Sequence, residues 1–553
     1  MEKIDQTIES ALDGLRRQWG IDLRRAHAVV GLLVSTRPVP MADLVLKTGL
    51  SHRSIKEIVQ TLGPFVEELP AGFVMDREHH RAVSEVLAAA RPSPLTAVDK
   101  SAMLSKLGKV LADRPSPIWQ LDHVPATTET LWRRAAYMHS TFNLRDAAVL
   151  IVGDQDMTSI ALALISPSTD IVVVDIDERL LSFIHSARHA LGLRIRPVFS
   201  DLRIAFPRSL LQHCHLAFAD PPYTEEGLRL FLQRAVQSLV KGEPTRILLA
   251  YGFGDRQLAN AYKAQSVIHS LRLVQHAMLP DFHHYEGAQA IGSRSDLYVL
   301  EPTSRSFAAS REVKEASAIY SKGREGRNVS IRSLPSELLD ALPEPIDWLL
   351  VGNPLPGIEL KQRVSIDAFF RTRFLNNRAQ RIVVNAYPSF GSSLLRLCLH
   401  ANADDITLIG SWRAVTKLRR QPYRELVLLK YREAWYRQAG NAGVLALAPR
   451  ETSDMDATDS VMTRLLRKPA ARLGSAWRES LIRHFRRRDV AITKNEARGV
   501  IADTEIGLIH GESFVVELPE VMLLQLRDAI ARTIALLEVV HFGPQAERHQ
   551  PLA

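Results

Sequence analysis

Residues 146–300 contain six near-continuous apolar runs separated by amphipathic helical segments, and this alternation constrains the fold more than any other feature. Strands that are buried on both faces of a parallel sheet are apolar along their whole length, whereas half-exposed strands alternate. Helical spacing in residues 178–192 and 225–240 supplies the crossover helices that such a sheet needs. We therefore predict a doubly wound α/β sheet with strands at residues 147–153, 170–177, 194–201, 215–223, 245–252 and 296–302.

The chain before this sheet has the pattern of a winged helix. Helical segments on either side of Pro38 and Pro40 are followed by Ser51, a candidate N-cap, and by a hairpin pattern around residues 70–72. The exposed positions of the helix after Ser51 carry few cations, so an accessory or dimerising role is favoured over DNA reading. Five regions result: a winged helix (1–90), a helical linker (91–145), a Rossmann-like catalytic domain (146–302), a degenerate α/β half-repeat (303–440) and a basic, mainly helical C-terminal region (441–553).

The half-repeat is predicted from three segments that resemble the later strands of the first sheet. Residues 345–356 resemble 215–223, residues 381–391 resemble 246–254, and residues 424–433 resemble 295–302. In this alignment Asn353 replaces Asp220, and the half that contains the glycine turn is missing. We expect a packing module without chemistry of its own, followed by helices and a short β element at residues 499–520.

The net charge of +9 is concentrated in the last third of the chain. Residues 413–437 hold eight Lys and Arg against two acids, and residues 464–498 hold eleven against three. A basic face of this kind fits nucleic acid, an acidic partner or solvent alone. The first 300 residues have no general affinity for polyanions on this count.

Composition excludes several classes of protein. The chain has only two cysteines, Cys214 and Cys398, so it lacks a cysteine-rich metal cluster and a disulfide framework. No apolar run approaches the ~20 residues of a membrane helix, and the first 20 residues lack the apolar core of a signal peptide. We expect a soluble cytoplasmic protein without membrane attachment and without a bound metal, and a homodimer is possible.

A glycine turn closes the first predicted strand. Gly153 allows a tight turn and close approach to a ligand, at the strand end where such sheets bind nucleosides. Asp154 and Asp156 follow, and two carboxylates here would repel a phosphate and attract a cation. The segment lacks the three-glycine dinucleotide pattern, so a sulfonium nucleoside that bears an amine is the better fit.

Two further acids end the next two strands. Asp175 lies 22 residues after Gly153, where a carboxylate can accept both ribose hydroxyls. Asp201 is a candidate contact for the adenine end of the same ligand. An acid after an apolar strand is often only a helix cap, but the spacing from Gly153 favours binding of an adenosine-type ligand.

The segment Phe-Ala-Asp-Pro-Pro-Tyr-Thr at residues 218–224 is the most specific signal. Asp220 closes a buried strand, Pro221 and Pro222 impose a rigid turn, and Tyr223 follows. An acid, a fixed turn and an aromatic ring suit the holding of an amine nucleophile: Asp220 can take its proton, and Tyr223 can face a cation. Glu225 either adds negative field or begins the next helix.

Two other segments are predicted to line the same cleft. The first follows a strand at Tyr251, and the second precedes the last strand and contains Asp281, Tyr285 and Glu286. Together they give an acidic, aromatic lining that suits a polycation. His283 and His284 lack a set of partner ligands and are interpreted as surface histidines.

Segments 153–164, 172–181, 219–232 and 281–301 resemble, in this order, the branched-chain polyamine synthases, the N4-bis(aminopropyl)spermidine synthases. The resemblance covers about residues 20–302. It implies a class I methyltransferase-type fold and transfer of aminopropyl groups from decarboxylated S-adenosylmethionine to a polyamine such as spermidine. It also implies Asp220 as the group that handles the acceptor amine, and Gly153, Asp154, Asp156 and Asp175 at the donor. Gln155 departs from the family, which carries a third acid there.

These residues and the resemblance are compatible with three functions. An aminopropyltransferase is favoured. An S-adenosylmethionine-dependent amino methyltransferase acting on DNA or RNA shares the Asp-Pro-Pro-Tyr segment and would use the basic C-terminal region to hold nucleic acid. A non-catalytic nucleoside-binding regulator is disfavoured by the intact residues 220–223.

Overall fold

The computed structural model describes residues 7–92, 94–254, 257–287, 292–311, 319–321, 334–342, 348–355, 362–371, 381–450 and 455–543. Residues 288–291, which belong to the fourth resembling segment, lie outside this set. Among the described helices, none combines the length and the apolar character needed to cross a membrane.

The N-terminal region is a small helical unit with a hairpin. Its elements are α1 (Ile8–Trp19), α2 (Leu23–Leu33), α3 (Met41–Thr48), α4 (His52–Leu62), β1 (Val66–Leu69), β2 (Gly72–Met75) and α5 (His80–Ala90). The Ser51 side chain accepts a hydrogen bond from the Ser54 N–H, which confirms the predicted N-cap of α4. Val39 and Phe73 exchange backbone hydrogen bonds, so the segment before α3 is joined to the hairpin.

Two longer helices, α6 (Ala97–Leu111) and α7 (Thr128–Thr141), precede the first large sheet. Leu131, Ala135 and Met138 on α7 are fully buried against the sheet. The linker helix α7 is therefore part of the core of the following unit, although it lies outside the predicted boundary at residue 146.

All six predicted strands form, and a seventh joins them. The strands are β3 (Ala148–Val152), β4 (Asp170–Asp175), β5 (Ile195–Phe199), β6 (Leu216–Ala219), β7 (Arg246–Tyr251), β8 (Leu273–His284) and β9 (Arg294–Pro302). Their order is β5-β4-β3-β6-β7-β9-β8, parallel except where β9 meets β7 and β8. The connecting helices are α8 (Thr158–Ile165), α9 (Glu178–Leu191), α10 (Glu225–Ser238) and α11 (Leu258–Ser270). The predicted doubly wound sheet is confirmed.

Strand β8 was not predicted, and it contains residues 281–284, which were predicted to precede the last strand and to line the cleft. Pro280 and several polar side chains interrupt its apolar pattern. A proline lacks the N–H of a central strand but is tolerated at an edge, and β8 is the edge strand of this sheet. Edge position therefore explains why the pattern of a buried strand is absent.

A second sheet follows, and it is larger than the predicted half-repeat. Its strands are β10 (Trp348–Gly352), β11 (Gln362–Val364), β12 (Arg381–Asn385), β13 (Asp405–Ser411), β14 (Tyr431–Ala439) and β15 (Ala442–Pro449), in the order β11-β10-β12-β13-β15-β14. The predicted boundary at residue 440 separates β14 from β15 and is wrong. Helix α12 (Ser306–Ala309) packs against α10 of the first unit. The described helices around the second sheet are α13 (Ser336–Leu339), α14 (Ile366–Arg371), α15 (Leu394–His400), α16 (Trp412–Leu418) and α17 (Tyr423–Leu428).

The two sheets share one topology, but the predicted alignment is displaced by one strand. Without β5, the first order matches the second strand by strand, including the antiparallel pair at one end. Strand β10 therefore corresponds to β3, and Gly352-Asn353 corresponds to the glycine turn at Gly153-Asp154. The second unit retains this turn, and Asn385, not Asn353, stands where the first unit has Asp220. The predicted strand at 424–433 is wrong, since α17 occupies its first part.

The turn of the second unit is closed by the protein itself. A Cβ on Gly352 would lie 2.4 Å from the Asn385 carbonyl oxygen. The Asn385 amide donates to the carbonyl oxygens of Asn353 (3.2 Å) and Pro354 (3.3 Å). Protein groups thus fill the strand end that is open in the first unit.

The C-terminal region packs five helices beside the second sheet. They are α18 (Ala457–Leu466), α19 (Leu473–Arg486), α20 (Lys494–Ala502), α21 (Glu505–His510) and α22 (Glu520–Phe542). The predicted β element at 499–520 is wrong. Thr493 with Glu496 forms a capping box for α20, and Thr504 caps α21, so local caps fix helices in a segment rich in β-branched residues.

The arginine Arg396 of α15 joins the two units. Its guanidinium pairs with Glu178 of α9 and donates to the Leu518 carbonyl oxygen at 2.9 Å, and it lies 3.7 Å from the centre of the Phe199 ring. The side chain is 1% exposed. Because a buried charge is costly unless paired, this contact requires both units.

Candidate functional site

The cleft lies at the carboxyl ends of β3, β4, β5 and β6, where α7 and the segment after β8 close over it. It encloses a cavity of about 90 Å³. Nine of the predicted site residues line the cavity: Gly153, Asp156, Asp175, Asp201, Asp220, Pro221, Pro222, Tyr223 and Tyr285. The prediction that the ends of these strands form one site is thus matched by the geometry.

Asp220 lies immediately after β6, and the turn of Pro221 and Pro222 holds it at the strand end. Its Oδ2 accepts hydrogen bonds from Arg134 Nη2 at 2.7 Å and from the Tyr285 hydroxyl at 2.9 Å. The side chain is 16% exposed, toward the cavity. One carboxylate oxygen is therefore held by the protein, and the hydrogen bonds identified here leave Oδ1 available to a ligand.

The partner Arg134 is a buried cation on α7. Its Nη1 donates to Asp156 Oδ2 at 2.7 Å and to Thr158 at 3.1 Å, and its Nη2 contacts Tyr285 at 3.4 Å as well as Asp220. The guanidinium carbon lies 4.7 Å from the centre of the Phe218 ring. Arg134 thus bridges two carboxylates, and the cluster of three charges is negative by one unit when both acids are ionised.

Burial determines the protonation of the acids in and beside the cleft. Loss of hydration raises the pKa of Asp220 to about 6, although the charge of Arg134 opposes the rise. Burial raises the pKa of Asp154 to about 8, against the hydrogen bonds of Ser159. At neutral pH Asp220 is ionised, with a pKa close enough to neutrality for proton exchange with a ligand.

The glycine turn has the geometry that close approach of a ligand requires. Gly153 has φ +71°, and a Cβ there would lie 3.3 Å from the Phe231 ring. Its N–H donates to the Val174 carbonyl oxygen at 2.9 Å, which fixes the turn against β4. Any side chain at this position would be strained and would crowd the cavity wall.

Asp154 belongs to the turn and not to the cavity wall. Its carboxylate accepts hydrogen bonds from the Ser159 hydroxyl and from the Ser159 N–H. Its own N–H donates to Asp175 Oδ2 at 2.9 Å. The structure therefore gives Asp154 a role in shaping the loop, in contrast to the predicted direct contact with the donor.

Asp175 ends β4 with both carboxylate oxygens oriented by backbone donors. Oδ1 accepts from the Asp177 N–H at 2.8 Å, and Oδ2 accepts from Asp154. Burial raises the pKa of Asp175, and burial also lowers the pKa of His123, a neighbouring residue of the cavity wall. Each oxygen keeps a lone pair, which suits a ligand with two hydroxyls.

Asp201 lines the cavity but is paired. Its two oxygens accept from Arg203 Nε at 2.9 Å and Nη2 at 2.8 Å, and both side chains are 2% exposed. Arg203 also donates to the Ser389 carbonyl oxygen of the second unit at 3.0 Å. The second unit thus supports the wall at the place predicted to contact adenine.

Tyr223 and Tyr251 form an aromatic pair beside the cleft. Their ring centres are 5.3 Å apart with an interplanar angle of 32°. Tyr223 lines the cavity, whereas the buried Tyr251 supports it from behind. Burial raises the pKa of Tyr223 well above its ordinary value and that of Tyr251 to about 12, so both phenols stay neutral.

Three predicted acids lie away from the cavity. Glu225 is exposed at the start of α10 and pairs with Arg229 at 3.1 Å. Asp281 is exposed on β8, 3.4 Å from Arg294, and Glu286 is exposed on the turn after Tyr285. Asp281 and Glu286 therefore do not form the predicted acidic lining. Of the residues predicted from this segment, Tyr285 lines the cavity.

His283 was wrongly predicted to be a surface residue. It is fully buried on β8, and its Nδ1 lies 3.0 Å from the Ser295 hydroxyl. The register of β8 against β9 shifts between Leu279 and His283, and Asp281 has φ +51°, so the alternation is broken and His283 faces inward although Asp281 is exposed. Burial lowers its pKa well below the ordinary value, so the ring is neutral.

Sequence reasoning missed Arg134 and His123. Arg134 occupies a core position of α7, at helical spacing from the buried Leu131, Ala135 and Met138. An arginine in an otherwise apolar stripe signals a buried partner, and that signal was present in the sequence. His123 lies in an irregular segment without such a pattern.

Comparison with known proteins places this site in context. Residues 102–304 match the family described as the branched-chain polyamine synthase A C-terminal domain. Over 140 residues the chain is 38% identical to the N(4)-bis(aminopropyl)spermidine synthase of Thermococcus kodakarensis, covering 25% of this chain and 40% of that one. The protein of the same name from Thermus thermophilus is 29% identical over 260 residues, 42% of this chain and 69% of that one.

The similarity extends over only part of the length of several relatives. The chain spans 48% of an uncharacterized Methanocaldococcus jannaschii protein at 33% identity, and 53% of the N(4)-bis(aminopropyl)spermidine synthase of that organism at 31% identity. It spans about half or less of the length of these relatives. A crystal structure of the Thermus thermophilus branched-chain polyamine synthase aligns with a TM-score of 0.33 and 22% identity, covering 54% of this chain and 93% of that one.

Removal of Arg134 tests whether one cation holds both acids. Arg134→Met leaves Asp156 and Asp220 without their buried partner, and we expect a loss of about 3–5 kcal/mol in the free energy of unfolding near pH 7.5. Without Arg134 the pKa of the buried Asp220 rises further in the folded variant, so protonation of Asp220 favours folding and the deficit shrinks toward about pH 5. Urea unfolding of variant and parent at both pH values measures the difference.

Arg133→Met is the matched control, because Arg133 is the preceding residue of α7, is 38% exposed, and makes weak contacts with Glu129 at 3.7 Å and with the Phe282 carbonyl oxygen at 3.4 Å. It should cost less than about 1 kcal/mol at either pH. Equal losses for the two variants, or a deficit for Arg134→Met that does not change with pH, would show that Arg134 does not balance these acids.

Proposed function

Because residues 102–304 match the branched-chain polyamine synthase A C-terminal domain, we propose that the chain belongs to this family and transfers an aminopropyl group from decarboxylated S-adenosylmethionine to an amine of a polyamine such as spermidine. The observation that carries the proposal is the carboxylate of Asp220, held on one oxygen by Arg134 and Tyr285 and facing the cavity with the other. The names of the related synthases support the same substrate class.

The donor would lie along the ends of β3 and β4. Asp175 has the free lone pairs to accept the ribose hydroxyls, and Gly153 lets the nucleoside approach the backbone. The wall near Asp201 would meet the base, although the carboxylate of Asp201 is engaged by Arg203. Asp154 acts through the shape of the loop.

The negative charge of the cluster around Arg134 favours a donor that lacks a carboxylate. All four terminal N–H groups of Arg134 face Asp156, Thr158, Asp220 and Tyr285, so this cation is not available to a carboxylate of the donor. With two acids and one cation, the cluster attracts an ammonium group. Decarboxylated S-adenosylmethionine presents an amine in place of the amino acid group, and this fits the cluster better than S-adenosylmethionine does.

In the proposed step, the lone pair of the acceptor nitrogen forms a bond to the methylene carbon next to the sulfonium. The carbon–sulfur bond breaks, its electron pair remains on sulfur, and methylthioadenosine leaves. Asp220 Oδ1 accepts the proton that the nitrogen loses. Tyr223 offers its face to the cationic chain of the acceptor, and the fixed turn at Pro221 and Pro222 keeps acid and ring in one orientation.

Gln155 is the residue that separates this cleft from the expected family pattern. When the side-chain amide is turned so that its nitrogen can donate, this nitrogen lies 3.2 Å from Asp156 Oδ1 and 3.3 Å from the Val124 carbonyl oxygen. A neutral amide here removes one negative charge and occupies one oxygen of Asp156. This difference in charge bears on which polyamine is accepted and on how many aminopropyl groups are transferred.

For the N-terminal unit we propose a winged-helix domain with an accessory or dimerising role, in a cytoplasmic homodimer. The order of helices and hairpin, with the Val39–Phe73 bridge, supports it. The α4 surface offers His52 and Lys56, while Arg53 is paired with Glu57 at 2.9 Å, which disfavours DNA reading.

Comparison of two donors tests the proposal. Calorimetric titration of the full chain should show tighter binding of decarboxylated S-adenosylmethionine than of S-adenosylmethionine, because the latter brings a carboxylate to a negative cluster. Incubation with spermidine and the preferred donor should add one or more aminopropyl groups by mass. Preference for S-adenosylmethionine, with methyl transfer to DNA or RNA and no product from spermidine, would replace the proposal with the nucleic-acid methyltransferase.

Replacement of the acid tests the chemical step. Asp220→Asn keeps the size of the side chain but removes the proton acceptor, so turnover should fall by about 100-fold or more. Donor affinity should fall much less than turnover, because Asp175 and Gly153 still hold the nucleoside and only the negative charge of the cluster is lost. Glu225→Gln is the control, since Glu225 is exposed and paired with Arg229. Turnover of the Asp220 variant equal to that of the control would remove Asp220 from the mechanism.

The pH dependence of the rate tests the state of Asp220. With a pKa of about 6, the acid accepts a proton only above this value, so the rate should rise through about pH 6. Tyr285→Phe removes a donor that stabilises the carboxylate, and this should move the rise to higher pH. Tyr298→Phe, a buried tyrosine of β9, should leave it in place. A rise that is unmoved by Tyr285→Phe would assign it to another group.

A further inference from the structure

A second and larger cavity lies between the first unit and the added half of the chain. Its volume is about 520 Å³, within the range of small-molecule sites. The first unit contributes the segment after β5, and the second unit contributes α14 and α15, with the turn before α22 completing the wall. It meets the cleft of Asp220 only at Ser200 and Asp201, which line both cavities.

The interior wall is apolar and rich in phenylalanine. Phe206 and Phe514 are buried at 5% and 8% exposure, and Phe307 and Phe370 are partly exposed within the same wall. Phenylalanine rings give flat surfaces on which a planar group can stack. This wall suits a ligand with a flat body.

The rim carries cations that have no counter-charge among the described residues. Arg208, Lys241 and Arg311 are exposed lining residues without an ion pair, and Arg371 adds a charge that Asp367 balances at 2.7 Å. Arg208 lies over the Phe514 ring at 4.5 Å, at the boundary between rim and wall. The cavity would repel a polyamine and attract a phosphate.

Both acids of the wall are already engaged. Glu517 accepts from the N–H groups of Ser209 at 3.2 Å and Phe514 at 3.0 Å, and Asp201 is paired with Arg203. Burial raises the pKa of Glu517. The electrostatic character of the cavity is therefore set by the rim.

His400 provides a polar group inside the apolar wall. The ring is 1% exposed, and its Nε2 lies 3.0 Å from the Phe369 carbonyl oxygen, so this nitrogen carries the proton and donates. Nδ1 is then an acceptor, and it has no hydrogen-bond partner among the described residues. His400 lines the cavity, and a ligand that reached Nδ1 would satisfy it with an N–H or O–H donor.

We propose that this cavity binds a nucleoside phosphate. The phosphate would meet Arg208 and Arg311 at the rim, the base would lie against the phenylalanine wall, and an amino or hydroxyl group would donate to His400 Nδ1. A fatty anion would pair with the cations of the rim and pack against the apolar wall, but it would leave His400 Nδ1 without a hydrogen-bond donor. The site is separate from the donor cleft and does not depend on the function proposed for it.

Titration calorimetry of the full chain with ATP, GTP, CTP and UTP tests this site. At least one should bind saturably with one site per chain. Arg208→Gln combined with Arg311→Gln should weaken that binding by about tenfold or more, since each arginine contributes a charge-assisted contact. Arg420→Gln, an exposed arginine of the second unit, should leave it within about twofold. His400→Phe should weaken binding of the nucleotide and leave the affinity for inorganic phosphate unchanged.

Four results would overturn the proposal. They are absence of saturable binding for all four nucleotides, equal affinity for inorganic phosphate, equal affinity for the unphosphorylated nucleoside, and loss of binding in Asp175→Asn, which would place the nucleotide in the donor cleft. Retained nucleotide binding in Asp175→Asn together with loss in the Arg208 and Arg311 variant would establish the second site. That outcome is independent of whether aminopropyl transfer is observed.

Discussion

The guanidinium of Arg134 organises the candidate site, because it is the buried cation between the two acids that face each other there. Asp156 follows β3 and Asp220 follows β6, and their carboxylates would repel one another without it. The same contact binds α7 to the sheet, so a helix that precedes β3 becomes part of the unit that forms the cleft. The family match, which begins at residue 102, includes this helix.

The sequence was sufficient for the first sheet and for its acidic strand ends. Apolar runs define buried parallel strands because such strands have no wet face, and all six were confirmed. The edge strand β8 was missed because its exposed polar residues and Pro280 interrupt the continuous apolar run of a buried strand. In the second unit the similarity to the first was visible, but short apolar strands resemble each other, and only the hydrogen-bonded order of the sheet fixed which strand corresponds to which.

The site was predictable where function depends on neighbours in sequence, and not where it depends on distant contacts. Asp220, the two prolines and Tyr223 lie on one turn, and they line the cavity as expected. The partnership of Arg134 spans 86 residues, so no local pattern encodes it. Asp281 and Glu286 were predicted from their charge, but the register shift in β8 and the turn after Tyr285 direct them to solvent, and His283 is buried instead.

The contacts made by Arg203 and Arg396 have a consequence for how the chain can be divided. Arg203 reaches the Ser389 carbonyl oxygen, and Arg396 pairs with Glu178, so charged groups of the first unit are completed by the second. A fragment that ended near residue 303 would keep the family-like portion but expose Glu178 and a hollow beside Asp201. The second unit, which has closed its own glycine turn, thus serves the first as a scaffold, and we expect each unit to be less stable when it is expressed apart from the other.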